Sequence, residues 1–240
     1  MNIRKVLAVV SARGLSVSAL SAAAVFGPFV PSAPVPPAAA EPCPDVEVVF
    51  ARGSGEPPGV GGIGQTFIDA LRSQVGGRSL TVYPVNYPAS TDFSSADFPL
   101  TVIDGIRDAS SHIESMAANC PNTKEVLGGY SQGAAVAGYT TSAAVPPGVP
   151  ASLVPPPMPP DVAQHVAAVT LFGTPSGQFL QKYNAPPLTI GPLYQPKTLE
   201  LCAQGDPVCG NAEGNDFAAH TSYPVNGMTN QAANFASSHL

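Results

Sequence analysis

Apolar residues fall along this chain in five short clusters separated by longer amphipathic stretches. The clusters are Val46–Ala51, Ser79–Val85, Glu125–Tyr130, His165–Gly173 and Lys197–Cys202. Within them the apolar residues run on instead of alternating, the pattern of strands covered on both faces in a parallel sheet. Between them lie Gly64–Val75, Val102–Cys120 and Gln132–Ala144, and a last segment covers Met228–Ser238. Phe67, Ile68 and Leu71, then Ile103, Ile106, Ile113 and Met116, recur near helical spacing and predict helices with one buried stripe. Strands alternating with helices predict an α/β fold, a three-layer sandwich around a central parallel sheet of about five strands. The stretch VPPGVPASLVPPPMPP, residues 145–160, fits neither element, because proline removes amide donors and blocks the helical turn. It predicts a stiff surface loop inserted between a helix and the next strand.

The first forty residues break the pattern. Arg4 and Lys5 lead into GLSVSALSAAAVFGPFV, and Ala38 and Ala40 flank an Ala-x-Ala exit. This predicts a secretion signal peptide over residues 1–40, removed to leave a single domain over 41–240. The length of the segment and the interruption at Arg13 raise an uncleaved membrane anchor as the competing reading, but Pro28, Pro31 and Pro34 would break a spanning helix. The chain is read as secreted, extracellular or held at the cell wall. Three of its ten basic residues lie in the leader and none of its 16 acidic ones does, so the remainder carries a formal charge of −9. That balance offers no footprint for nucleic acid and little attraction to anionic lipid.

Cys43, Cys120, Cys202 and Cys209 all lie beyond the leader. An even number in an exported chain implies two disulfides, with three connectivities open. The simplest pairing is Cys43–Cys120 and Cys202–Cys209, for which chain entropy alone contributes about 4.5 and about 2.5 kcal/mol. A zinc site would need a Cys-x-x-Cys or a nearby His-x-x-x-His pair, and the sequence has neither, so no metal is expected.

Candidate chemistry centres on KEVLGGYSQGAAVAGY, residues 124–139. Gly129-Tyr130-Ser131-Gln132-Gly133 follows an apolar run and opens a helical one, the setting of a nucleophile elbow. The competing reading is an ordinary strand-to-helix turn in which Ser131 caps the helix. A serine nucleophile needs a base and an acid behind it, in the chain order Ser, acid, His. Of the four histidines, His112 precedes the serine and is read as a surface position on a helix. His165 opens a predicted strand and His239 adjoins the C-terminus, which leaves His220. Asp161, Glu200, Asp206, Glu213 and Asp216 lie between Ser131 and His220. Asp206 is preferred because it follows a strand and sits between two cysteines, although Gly-Asp-Pro would favour a turn in any case. Asp216 is the alternative. An oxyanion hole needs amide donors, one from Gln132 and another from the glycine-rich loop after the first strand, where Ser54 lies. A phosphate loop is the rival for that segment, but it lacks the Gly-Lys-Ser/Thr ending.

FARGSGEP (50–57), NYPAS (86–90), CPNTKEVLGGYSQGA (120–134), LFGTP (171–175), LCAQGDPVC (201–209) and AHTSY (219–223), in that order, resemble the cutinase family of serine esterases, and in particular the cutinase-like proteins exported by actinobacteria. The resemblance implies a small α/β hydrolase without a large lid. It implies Ser131, Asp206 and His220 as catalytic triad, Ser54 and Gln132 as oxyanion hole, and disulfides Cys43–Cys120 and Cys202–Cys209. The expected activity is that of a carboxylesterase acting on short to medium acyl, lipid or cutin-like esters, with no cofactor, and a monomer is expected. The insert over 145–160 departs from the family pattern. Two alternatives stand beside this reading: a carbohydrate deacetylase of acetylxylan-esterase type, and a non-catalytic exported surface or antigenic protein on the same scaffold. The loop Tyr183–Tyr194 reads either as a wall for an acyl chain or as packing against the domain's own core.

Overall fold

The computed structural model describes residues 42–210 and 217–240. The predicted leader over residues 1–40 lies outside the described residues, as do Glu213 and Asp216. All five predicted strands form: β1 (Val46–Ala51), β2 (Leu80–Pro84), β3 (Lys124–Tyr130), β4 (Val166–Phe172) and β5 (Thr198–Leu201). They pair in parallel in the order β2-β1-β3-β4-β5. The helices are α1 (Gly61–Gln74), α2 (Phe98–Asn119), α3 (Gln132–Thr140), α4 (Pro160–Ala163), α5 (Gly177–Lys182) and α6 (Met228–Ser237).

Every residue of β1 is buried, which is why its sequence is apolar without alternation. Val46, Val48 and Phe50 pack towards Phe67 and Leu71 of α1 and Ala232 and Ala236 of α6. Val49 and Ala51 face the other way, into a cluster with Ile113 of α2 and Val136 of α3. The sheet is thus the middle of three layers. Phe50, Phe67 and Phe172 form an aromatic knot with centroids 5.7 to 6.3 Å apart, and burying each ring contributes roughly 1.5–3 kcal/mol. Gly64 and Gly128 make room for it: a Cβ at either position would come within 2.7 Å of the Phe50 ring.

Helix boundaries depart from prediction for identifiable reasons. α1 begins three residues earlier than predicted, through glycines that read as loop, because the Glu56 carboxylate accepts the Gly62 amide at 2.8 Å and caps it from outside. α2 begins four residues early, with Pro99 in its first turn, where a missing N–H is harmless. α3 stops at Thr140 instead of Ala144. Thr140 and Thr141 bond back to the carbonyls of Val136 and Gly138, and Pro146 beyond them cannot continue a helix. α5 was not predicted; at six residues its pattern is too short to read, and Ser176 caps it through the Phe179 amide at 3.3 Å. The proline-rich insert carries no helix or strand before Pro160, yet it is not wholly superficial, because Met158 plugs into the core. No described helix is long and apolar enough to cross a membrane.

At the amino-terminal end of the strands lies a buried acidic group. Glu125 of β3 is 1% exposed, and neither carboxyl oxygen has a hydrogen-bond partner among the described residues. Beside it on β1, Glu47 meets His112 Nε2 at 2.8 Å, and the His112 ring stacks on Tyr83 at 3.5 Å. His112 is therefore a half-buried partner of the sheet, not the surface residue its helical position predicted. Burial pushes the Glu125 pKa up from 4.5 to about 8, and the neighbouring Glu47 carboxylate adds to the rise. A raised carboxyl favours the fold while it is neutral, so that stability is complete below about pH 4.5 and is lost as pH climbs through about 8. Relative to Glu125→Gln, the wild type should lose on the order of 5 kcal/mol over that interval, with a constant difference on either side. Urea unfolding of both proteins at a series of pH values checks this, and a pH-independent difference would exclude it.

Candidate active site

All parallel strands end at one rim of the sheet, and the loops leaving that rim carry the predicted site residues. Ser131 stands between β3 and α3 at φ 55° and ψ −118°, a backbone region that an L-residue adopts only under constraint. Its amide donates to the Phe172 carbonyl at 2.8 Å, and its carbonyl accepts the Ala135 amide at 3.1 Å. The flanking glycines are steric necessities. A Cβ on Gly129 would lie 2.1 Å from the Gly133 carbonyl oxygen, and one on Gly133 would lie 2.0 Å from that of Ala51. The serine hydroxyl is thereby pushed out of the sheet at the amino end of α3.

His220, in a single 3-10 turn (Ala219–Thr221) ahead of α6, reaches Ser131 Oγ through Nε2 at 2.8 Å. Its Nδ1 lies 2.7 Å from Oδ2 of Asp206, in the loop after β5. Asp206 is fully buried. Besides His220 it accepts from Tyr223 Oη at 2.6 Å and from the Val208 amide at 2.8 Å. Burial by itself pushes this carboxyl up, but the bonds from His220, Tyr223 and Val208 outweigh it and hold Asp206 below its ordinary value. An ionised Asp206 only accepts, so the proton of the neutral imidazole resides on Nδ1 and Nε2 is free to accept from serine.

Cys202 and Cys209 are bonded to each other across the Asp206 loop, and Cys43 is bonded to Cys120, tying the strand entry to the end of α2. Ser54 follows β1. Neither its amide nor that of Gln132 donates to an acceptor among the described residues, and the Ser54 hydroxyl is buried without a partner. The Gln132 side chain donates to the Ser90 carbonyl at 3.3 Å, fastening the loop after β2 beside the elbow. The five predicted residues Ser131, Asp206, His220, Ser54 and Gln132 therefore all lie at this rim, Gln132 as the first residue of α3, His220 in the 3-10 turn and the others in connecting segments. Two groups with a part in the site carried no role in the sequence reading. Tyr223 closes the cage around Asp206 and also accepts the Ala203 amide at 3.2 Å. Tyr130, the residue between Gly129 and Ser131, donates through its hydroxyl to the His220 carbonyl at 2.9 Å and packs its ring 4.9 Å from the imidazole. Both lie inside the quoted motifs, adjacent to the chemistry, and that adjacency was the available signal.

One exposed apolar side chain adjoins the imidazole. Phe217 meets the His220 ring edge-on at 6.2 Å and is 52% exposed. A groove of about 560 Å³ begins at Thr174, next to the Gly173 on which His220 rests, and is walled by Leu180, Leu188 and Ile190. In the loop Tyr183–Tyr194, Leu188 lines this groove, while Ile190 and Tyr194 are buried in the core, so packing against the domain is one of its roles.

The sequence profile of the family described as Cutinase matches residues 42–240. The chain is 70% identical over 168 residues to "Probable carboxylesterase Culp7" of Mycobacterium tuberculosis, covering 70% of this chain and 89% of that one. Among solved structures it is similar to a Trichoderma reesei cutinase in complex with a C11Y4 phosphonate inhibitor, with TM-score 0.60 and 31% identity over 82% of this chain and 77% of that one. It is also similar to an acetyl xylan esterase, with TM-score 0.65 and 25% identity over 82% of this chain and 99% of that one.

Replacing Tyr223 by Phe removes a donor from Asp206 and strands the Ala203 amide, so stability should drop by about 1–3 kcal/mol. Because Asp206 is held below its ordinary value, its contribution is present at higher pH and lost as pH falls through the lowered value; with one donor fewer, the variant should lose it at a higher pH. Acid unfolding curves of Tyr223→Phe that overlay the wild type would contradict the cage.

Proposed function

The chain belongs to the cutinase family, and from that premise we propose that it is a secreted serine carboxylesterase in which Ser131, His220 and Asp206 form the catalytic triad. The observation that carries the assignment is the unbroken chain of short contacts, 2.8 Å from hydroxyl to imidazole and 2.7 Å from imidazole to a fully buried carboxylate. His220 Nε2 takes the Ser131 proton as Oγ attacks the ester carbonyl. The negative oxygen that forms is held by the amides of Ser54 and Gln132, a donor of this kind being worth roughly 3–4 kcal/mol in the transition state. Collapse breaks the bond to the alcohol oxygen, which takes the proton from His220 and leaves, with the acyl group now on Ser131. Water then attacks with His220 again as base, and release of the acid restores the serine. Asp206 keeps the imidazole in the productive tautomer and stabilises its transient positive charge.

Export is supported by the two disulfides, which persist in oxidising compartments, and by the leader sequence. Esters with an apolar acyl part are supported by the exposed Phe217 ring beside the imidazole. The likeness to an acetyl xylan esterase favours a second reading, removal of acetyl groups from a polysaccharide.

Hydrolysis of p-nitrophenyl esters from acetate to palmitate, by wild type and by Ser131→Ala, tests both readings. Ser131→Ala should lower kcat/KM by about 10⁴-fold or more. Rates equal to wild type would remove Ser131 as nucleophile. Turnover of butyrate and longer esters supports the lipid-type substrate, whereas turnover confined to acetate, together with release of acetate from acetylated xylan, supports the deacetylase.

A further inference from the structure

The loop that presents Ser54 is braced by two ionisable side chains, neither of which reaches the reacting groups. Gly53 to Glu56 is a turn closed by the Glu56 amide on the Gly53 carbonyl at 3.3 Å, with Gly55 at φ 74° in its third position. Positive φ at the third position is what a type II turn requires, and the closing bond uses the Glu56 amide, so that of Ser54 has no acceptor among the described residues. The Glu56 side chain folds back under this turn. One carboxylate oxygen accepts the Gly53 amide at 2.7 Å and the other accepts the Gly62 amide at 2.8 Å, so that a single group pins the turn to the start of α1. Gly61 makes space for it: a Cβ there would lie 2.1 Å from the carboxylate.

Arg52 holds the turn from the other side. It is 5% exposed, and among the described residues its guanidinium bonds only to backbone carbonyls: Nε to Glu56 at 2.9 Å, Nη2 to Tyr87 at 2.6 Å and Nη1 more weakly to Val85 at 3.5 Å. The Tyr87 hydroxyl returns a bond to the Arg52 carbonyl, and its ring lies beneath the guanidinium. The Gly55 amide then donates to Ala89 at 2.8 Å, and the next residue, Ser90, accepts from the Gln132 side chain. The two amides assigned to the oxyanion are therefore linked through one dipeptide, in which Ala89 is itself held at φ 48°.

We propose that Glu56 and Arg52 are positioning residues of the oxyanion hole, fixing where the Ser54 amide points and hence how well the tetrahedral state is held, without touching substrate. This rests on the esterase reading above. Two neighbouring N–H groups face the Glu56 carboxylate, so Glu56→Gln sets an amide donor against one of them while preserving shape. Arg52→Lys keeps the charge and loses the fork that spans Glu56 and Tyr87.

The test uses the full chain and p-nitrophenyl butyrate. Glu56→Gln should lower kcat by about 10- to 100-fold with KM within about twofold, the signature of an interaction made in the transition state. Inactivation by diethyl p-nitrophenyl phosphate, whose phosphoryl oxygen occupies the same hole, should slow in parallel, and Arg52→Lys should follow in the same direction. Thermal unfolding of each variant supplies its folded fraction. Losses that match the unfolded fraction, or a kcat within twofold of wild type in both variants, would overturn the proposal. Failure of the esterase reading looks different: the wild type itself would neither turn over the ester nor be inactivated by the phosphate.

Discussion

At φ 55° Ser131 occupies a conformation that costs an L-residue of order 1–3 kcal/mol, and it stays there because its neighbours leave no relaxed alternative. The strand before it is buried on both faces, the helix after it is almost wholly buried, and the two backbones come so close that a methyl group at Gly129 or Gly133 would overlap a carbonyl. Strain stored in one residue is offset by the packing of two whole elements. The hydroxyl is displayed by the fold itself and needs no support from flexible side chains.

The carboxylate at the far end of the relay faces the opposite problem. Fully buried, Asp206 would tend to take up a proton, and it stays ionised because three donors converge on it from two segments: the Val208 amide within its own loop, and the imidazole and the Tyr223 phenol from the stretch 219–223. The small disulfide loop and the turn bonds from Asp206 to Ala203 and from Gly210 to Asp206 hold that loop in shape. Glu125, buried at the other end of the sheet with no donor among the described residues, goes the other way: burial raises its pKa to about 8, which favours the neutral acid below that pH. Two carboxyls in one domain thus take opposite charge states, according to whether hydrogen-bond donors accompany burial.

Strands and motifs were legible in the sequence because both are local. A strand covered on two faces is a continuous apolar run, and an elbow is five adjacent residues. What stayed hidden depends on partners far apart along the chain. The cap of α1 is a carboxylate six residues upstream of the amide it serves. His112 finds Glu47 across 65 positions, and Tyr223 finds Asp206 across 17, and no periodicity announces either. The end of α3 was misjudged because alanine favours helix, whereas Thr140 and Thr141 turn their hydroxyls to backbone and Pro146 closes the option. The roles of Arg52 and Glu56 were invisible for the same reason: their partners are backbone groups, which leave no mark on composition.

Tyr130 joins features that otherwise look separate. Its ring edge lies 2.6 Å from where a Cβ on Gly53 would be, and its hydroxyl holds the His220 carbonyl. One rigid phenol is therefore a strut between the loop of Ser54 and the turn of His220. Damage on the two sides of that strut is mechanically coupled, so changes made at both ends will not combine as independent losses.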